Sequence, residues 1–319
     1  MISQNITTLR HLNELTQEEL AARLGVSRQT VAKWEAAEGN MATEVTPLLE
    51  VHHLTKHYPG FTLDDITFAI APGRITGFIG RNGAGKSTTL KCVEGAVHPD
   101  SGTIAYFGRP FAGNEHFAKQ RTGFELGGAD FYRTRRMATI ADVTRQFYDH
   151  WDEAVFARYC QLFQLDGRKR IMDLSQGMRV KLTVALALSH HAQLLILDEP
   201  TSGLDPASRE EVLDILMDAA RHENAGVLFS THITSDLDKC ADDIHYLRDG
   251  KLVGSGPLAT FKARYAVAPL LEARKTDAPV LGLRRTANGD SALVPSDAGI
   301  GRPATLEDIM THLPKEDVA

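Results

Sequence analysis

Hydrophobic and polar positions divide the chain into three stretches with different periods. Up to about residue 40 the apolar residues recur at helical spacing. In "LTQEELAARLGVSRQTVAKWE", Leu15 to Glu35, Leu20 and Leu24 share one face of a first helix, and Val31 and Trp34 turn inward on a second. Thr16 and Glu19 have the spacing of a capping box, Gly25 breaks the pattern, and Ser27 is placed to cap the second helix. A polar hinge, "AEGNMATEVTP", comes next. From Leu48 into the 260s short apolar runs ("RITGFIG", "LLILDEP", "GVLFSTH") alternate with helical patterns, as in a mostly parallel sheet with crossover helices. "MATEVTPLLEVHHLTKHY" reads like a natural start for that stretch. The tail from about Tyr265 to Ala319 predicts short strands, with turns at Asn288-Gly289 and Asp297-Ala298-Gly299. It predicts a last helix at "ATLEDIMTHL", capped by Thr305 with Asp308 three residues on. A helix is also predicted from Trp151 to Leu165, and no internal repeat is visible.

Composition changes this picture little. The chain has 319 residues, 43% hydrophobic and 24% charged, which allows about two domains of ordinary globular kind. Its net charge is −6, so it carries no general basic footprint for nucleic acid. No apolar run approaches the roughly 20 residues that span a bilayer, and the N-terminus lacks the apolar core of a signal peptide. Cys92, Cys160 and Cys240 are scattered, without disulfide or metal spacing, and read as three free thiols in a reducing cytoplasm.

The middle stretch carries chemistry. "GRNGAGKST", Gly80 to Thr88, fits the phosphate-binding loop pattern between a strand and a helix. Gly80, Gly83 and Gly85 let backbone N–H groups curl around phosphate oxygens, and the helix after the loop points its positive end at them. Lys86 is placed for the β- and γ-phosphates and the Ser87 hydroxyl for Mg²⁺. "LLILDEP" is a strand buried on both faces that ends in two acids, an odd place for charge unless a cation is met there. Asp198 is expected to hold Mg²⁺ through water, and Glu199 to polarise the attacking water.

These motifs continue with "LSQGM" (Leu174 to Met178), "SGLDP" (Ser202 to Pro206) and "STH" (Ser230 to His232). In that order, from about Leu48 to Gly256, the chain resembles ABC ATPases. The resemblance implies a P-loop α/β fold of ABC type with a helical subdomain. It implies two cassettes, a homodimer or a paired relative, facing head to tail around two ATP molecules. Asn82 and Thr88 join the loop residues as nucleotide contacts. Ser175 and Gly177 of one copy would complete the γ-phosphate site begun by Lys86 of the other. His232 matches the switch histidine, Asp205 the loop linking the two sites, and Tyr58 the aromatic that stacks on adenine, although His57 and Phe61 lie close by. The family's glutamine after the P-loop helix is missing: Gly127 falls there, with Glu125 two residues earlier, and neither Gln120 nor Gln146 is well placed. "FYDHWDEAVFARYCQLFQL", "LFSTHITSDLDKCADDIHYLRDGKL" and "ATLEDIM" resemble the YtrB-like branch of type-2 exporters.

The first stretch resembles an Xre/Cro-type helix-turn-helix. That places Arg28, Gln29 and Lys33 on the outward side of a recognition helix, where Arg suits guanine and Gln suits adenine. A helical protein-docking module is the other reading. Up to Glu44 the segment holds four basic and six acidic residues, a poor balance for phosphate attraction.

The expectation is a small all-α helix-turn-helix (1–40), an ABC-type α/β ATPase (48–262) and a small α+β regulatory tail (263–319). The chain would bind ATP and Mg²⁺ in the cytoplasm, on the inner face of the membrane, and power a separate permease that exports its substrate. The alternative is a soluble ATP-dependent DNA-binding transcription regulator.

Overall fold

The computed structural model describes residues 10, 15–24, 28, 31, 46–125, 133–285 and 289–313. The chain falls into two compact units, Met1–Thr46 and Pro47–Ala319. In the first, helix α1 spans Gln17–Leu24. Its start is fixed by the expected reciprocal bonds. The Glu19 carboxylate accepts from the Thr16 N–H at 2.7 Å, and the Thr16 hydroxyl oxygen accepts from the Glu19 N–H at 3.2 Å. Ala21 and Val31 are buried, and Arg28 is helical and exposed. Ser27, Gln29, Lys33 and Trp34 lie outside the described residues.

In the second unit β1 (Leu49–Tyr58) pairs antiparallel with β2 (Phe61–Ile70). Strand β3 (Ile75–Ile79) runs into the glycine loop and helix α2 (Lys86–Glu94). Then come β4 (Ser101–Tyr106), β5 (Arg109–Pro110) and β6 (Thr122–Glu125). Helices α3 (Glu153–Leu162) and α4 (Gln176–Ser189) precede β7 (Leu194–Asp198). Helix α5 (Pro206–His222), β8 (Gly226–Thr231), α6 (Thr234–Cys240), β9 (Asp243–Arg248) and β10 (Lys251–Pro257) follow. The tail adds β11 (Tyr265–Pro269), β12 (Gly282–Arg284), β13 (Ser291–Pro295), β14 (Arg302–Pro303) and α7 (Leu306–His312).

The main sheet has the order β10-β9-β3-β8-β7-β6, parallel except for β10. Its central strands are buried on both faces, which explains their unbroken apolar runs. Alternate residues divide between two cores. Ile75, Ile79, Leu195, Leu197 and Phe229 pack on the helical side. Phe78, Leu194, Ile196 and Leu228 pack toward the antiparallel sheet β2-β1-β4-β5. Helix α3 begins at Glu153, two residues after Trp151, because Asp152 caps it by accepting the N–H groups of Ala154 and Val155. Trp151 lies outside the helix, with its ring against Phe156.

The tail forms its own antiparallel sheet, β12-β13-β11-β14, yet α7 joins the helical core through Leu306 and Ile309, beside Leu237 of α6. Both bonds of its capping box form, and Arg302 pairs with Asp308. Burial pushes the Asp308 carboxyl up, but the Arg302 guanidinium and the Thr305 bonds outweigh it and hold its pKa at about 2. The three cysteines are free. Burial raises the Cys92 thiol to about 11 and Cys240 to about 12, which keeps both protonated.

Candidate functional site

Strand register brings the motifs to one edge. In the parallel pairs Ile79 lies opposite Thr231 and Asp198 opposite Ser230. The glycine loop, the acid pair and His232 therefore all leave the sheet at the carboxyl ends of adjacent strands, where open α/β sheets form a crevice.

The loop conformation needs its glycines. Gly83 and Gly85 have φ of 82° and 107°, and a Cβ on Gly80 would lie 2.4 Å from the Leu247 carbonyl oxygen. Lys86, only 6% exposed, turns back into the loop. Its Nζ donates to the Gly80 carbonyl at 2.8 Å and lies 3.7 Å from Glu199 Oε1. The other Glu199 oxygen is 2.7 Å from His232 Nδ1, so one carboxylate joins a lysine and a histidine. Glu199 sits at φ 53°, a left-handed conformation that a non-glycine residue pays for, and its N–H bonds to Ser230. Beside it Ser87 Oγ donates to Asp198 Oδ2 at 2.8 Å, and Ser230 Oγ donates to Asp198 Oδ1. Lys86, Ser87, Glu199 and His232 border a cleft of about 780 Å³, lined also by Phe61, Arg81, Asn82, Gly83, Gly85, Thr88 and Ser202, and Asp198 and Ser230 join it through Ser87. Donors and a cation face acids across a space that suits a polyanion and a hard cation.

The other candidates lie elsewhere. Tyr58 is 41% exposed at the end of β1 and does not line the cleft; its partner across the hairpin, Phe61, does. Ser175 caps α4 by accepting the Met178 N–H, and neither it nor Gly177 lines the Lys86 cleft. A Cβ on Gly177 would meet Leu204 at an ordinary 3.7 Å, so nothing among the described residues demands glycine there. Asp205 caps α5. Bonds from the Ser208 hydroxyl and N–H, and from the Ala207 N–H, hold its carboxyl below the usual range. Glu125 ends β6 and accepts from Thr183; Gly127 lies outside the described residues. Gln120 donates to the Phe147 carbonyl and Gln146 to that of Asp142, so both amides are engaged away from the cleft.

Arg81 was not singled out from the sequence, Phe61 entered only as a neighbour of Tyr58, and Ser202 and Ser230 only as the first residues of their motifs. Ser230 was the most findable, since "STH" ends a strand as "LDE" does. Arg81 fills a position the loop pattern leaves open.

A model described as ABC transporter matches residues 63–202, and the bacitracin transport ATP-binding protein BcrA of Bacillus licheniformis is 30% identical over 223 residues, 69% of this chain and 73% of that protein. The chain belongs to the ABC transporter ATP-binding family. It is therefore an ATP-binding cassette and an ATPase. The cassette is also 27% identical to the ABC transporter ATP-binding protein YtrB of Bacillus subtilis, covering 68% of this chain and 75% of that one. To the Nod factor export ATP-binding protein I of Neorhizobium galegae it is 27% identical, covering 84% and 85%. A solved ATP-binding subunit of an ABC transporter superposes with a TM-score of 0.61 at 27% identity, over 67% of this chain and 92% of that one. Ahead of the cassette, a helix-turn-helix model matches residues 6–44.

Proposed function

We propose that the cassette hydrolyses ATP between two copies, or with a paired relative, and so powers export through a separate membrane permease. Residues 48–262 would form the engine, 263–319 a regulatory tail and 1–40 a fused regulator-like segment. The observation that carries the reading is the Lys86–Glu199–His232 linkage beside the Ser87–Asp198–Ser230 linkage on one cleft. In this reading Lys86 exchanges its loop carbonyls for β- and γ-phosphate oxygens. Glu199 orients a water and accepts its proton. With Nδ1 on Glu199, His232 has Nε2 left for the γ-phosphate, and both nitrogens donate only in the protonated ring.

The Ser87 hydroxyl and the Asp198 carboxylate are hard oxygen donors and already touch, a set that fits Mg²⁺. Bound there, the ion would neutralise charge on the phosphates. Because Ser175 and Gly177 do not line the Lys86 cleft of their own chain, a second copy is the natural source of that half. The cleft aromatic is assigned to Phe61. Phe61→Ala should weaken ATP binding by about tenfold, the loss expected for one base–aromatic stack, and Tyr58→Ala should do much less. Displacement of a fluorescent nucleotide reads both, and the reverse ranking returns the role to Tyr58.

Among the described residues no helix is long and apolar enough to cross a membrane. The permease is accordingly assigned to another polypeptide, with the cassette on the cytoplasmic face of the membrane. The relative named for Nod factor export supports the export direction. Purification of the tagged chain from detergent-solubilised membranes tests this: a stoichiometric membrane partner is expected, and its absence removes the transport reading.

The helix-turn-helix match, with Arg28 exposed on a helix, favours a second reading in which the output is DNA binding. Fluorescence anisotropy on DNA from the gene's own promoter region, with Mg-ATP and the Glu199→Gln protein, decides it. Salt-sensitive binding, lost in Arg28→Ala/Gln29→Ala/Lys33→Ala, supports that reading. Binding no tighter than to random DNA at low salt ends it.

A further inference from the structure

Six buried side-chain atoms have no hydrogen-bond partner among the described residues: Arg179 Nε, Thr201 Oγ1, Arg209 Nε, both carboxylate oxygens of Asp236, and His245 Nε2. Four of the six belong to the two segments that leave the ATP cleft, from Glu199 into α5 and from His232 into α6. Unmet hydrogen bonding is costly in a folded chain. Its concentration behind a catalytic edge calls for a reason.

Arg209 and Asp236 face each other there. Asp236 is fully buried, and its Oδ1 lies 3.9 Å from Arg209 Nε, close enough for attraction and too far for a hydrogen bond. The Arg209 head group also reaches the Leu204 carbonyl at 3.5 Å, at the margin of bonding. Arg209 lies one turn beyond Asp205, so its head is tied to the loop Asp205 closes. Asp236 lies one turn beyond His232, on the helix that histidine introduces. The pair is an unclosed bridge between that loop and the switch histidine. A small slide of α5 against α6 would bring it to the about 2.8 Å of a charge-assisted bond.

We infer that Arg209 and Asp236 are positioning residues: closure of the pair couples the Asp205 loop, where a second copy would press, to the placement of His232. The inference rests on the two-copy reading above. Neither side chain lines the cleft, so the pair acts through helix α6 and not on the nucleotide.

The test compares Asp236→Asn, Arg209→Lys and the paired apolar replacement Arg209→Met/Asp236→Leu. Nucleotide affinity, kcat, the Hill coefficient in ATP and the melting temperature are measured for each. Removing both charges together spares the fold the burden of one unpaired charge. Asp236→Asn and the apolar pair should bind ATP within about twofold of wild type, lose about tenfold or more in kcat, and drop from a Hill coefficient of about 2 to about 1. Arg209→Lys, which keeps the charge, should recover most of the cooperativity. An apolar pair with wild-type kcat and Hill coefficient overturns the inference, and so does a loss confined to KM. If Asp236→Asn does not fold, the apolar pair decides alone. Light scattering of the Glu199→Gln protein with Mg-ATP separates the two claims: no ATP-dependent association sinks the two-copy reading itself, whereas association with unaltered variants sinks only the coupling.

Discussion

Glu199→Gln is expected to stop turnover and to leave two copies locked together around ATP. The amide keeps an oxygen for the bond from His232 and occupies the volume of the carboxylate, so the cleft should hold its shape. What it loses is basicity, and with it the general-base contribution of about 10²- to 10⁴-fold in rate. Lys86, Ser87 and Asp198 are untouched, so nucleotide still binds. ATP that binds and is not hydrolysed keeps the closed state populated, by the same mass action through which any ligand stabilises the form it prefers. Size-exclusion chromatography with Mg-ATP should move the mutant to the mass of a dimer and leave the wild-type protein mostly monomeric. A mutant that hydrolyses at the wild-type rate and stays monomeric would remove Glu199 from the mechanism.

Lys86→Ala is expected to abolish tight ATP binding. The buried ammonium lies at the mouth of a loop whose two nearest carbonyls, Gly80 and Arg81, it bonds at 2.8 and 3.4 Å. It also faces Glu199, so its removal leaves that carboxylate without its neighbouring cation. Charge-assisted bonds to two phosphates are worth about 1.5–3 kcal/mol each, so the expected loss is about a hundredfold or more. The freed loop carbonyls should lower stability only modestly, about 1 kcal/mol, and a melting curve separates that effect from lost binding. Isothermal titration with ATP is the measurement. Wild-type affinity in the mutant would place the phosphate site elsewhere.

How legible each feature was depended on how local its cause is. The glycine loop could be read directly because its conformation is a property of its own residues: φ of 82° and 107° at Gly83 and Gly85 asks for glycine wherever such a loop occurs. "LLILDEP" was legible for a similar reason, since a run buried on both faces that ends in two acids limits what the acids can meet. The Thr305–Asp308 cap formed as its spacing implied, and so did that of Thr16 and Glu19. The aromatic of the cleft could not be read this way. Tyr58 and Phe61 flank one tight turn as direct cross-strand partners, and only the assembled fold brings Phe61, and not Tyr58, against the glycine loop, where a Cβ on Gly85 would lie 2.9 Å from its ring. The start of α3 shifted past Trp151 because Asp152 found two N–H groups to cap.

The sequence by itself determined that this chain is a nucleotide-binding cassette, with a helix-turn-helix pattern ahead of it. It named the lysine, hydroxyl, acids and histidine of the cleft. Each of those signals lies within about ten consecutive residues, where backbone geometry and side-chain chemistry act without help from distant chain. Only the tertiary structure decided that Ser230 buttresses Asp198, that Phe61 and Arg81 line the cleft, that α7 of the tail packs beside the helix after His232, and that Arg209 stops 3.9 Å short of Asp236. Those contacts join segments tens of residues or more apart. Their geometry comes from parallel strand register and from helices packed on a shared core, and a one-residue slip of β7 against β8 would take Ser230 away from Asp198.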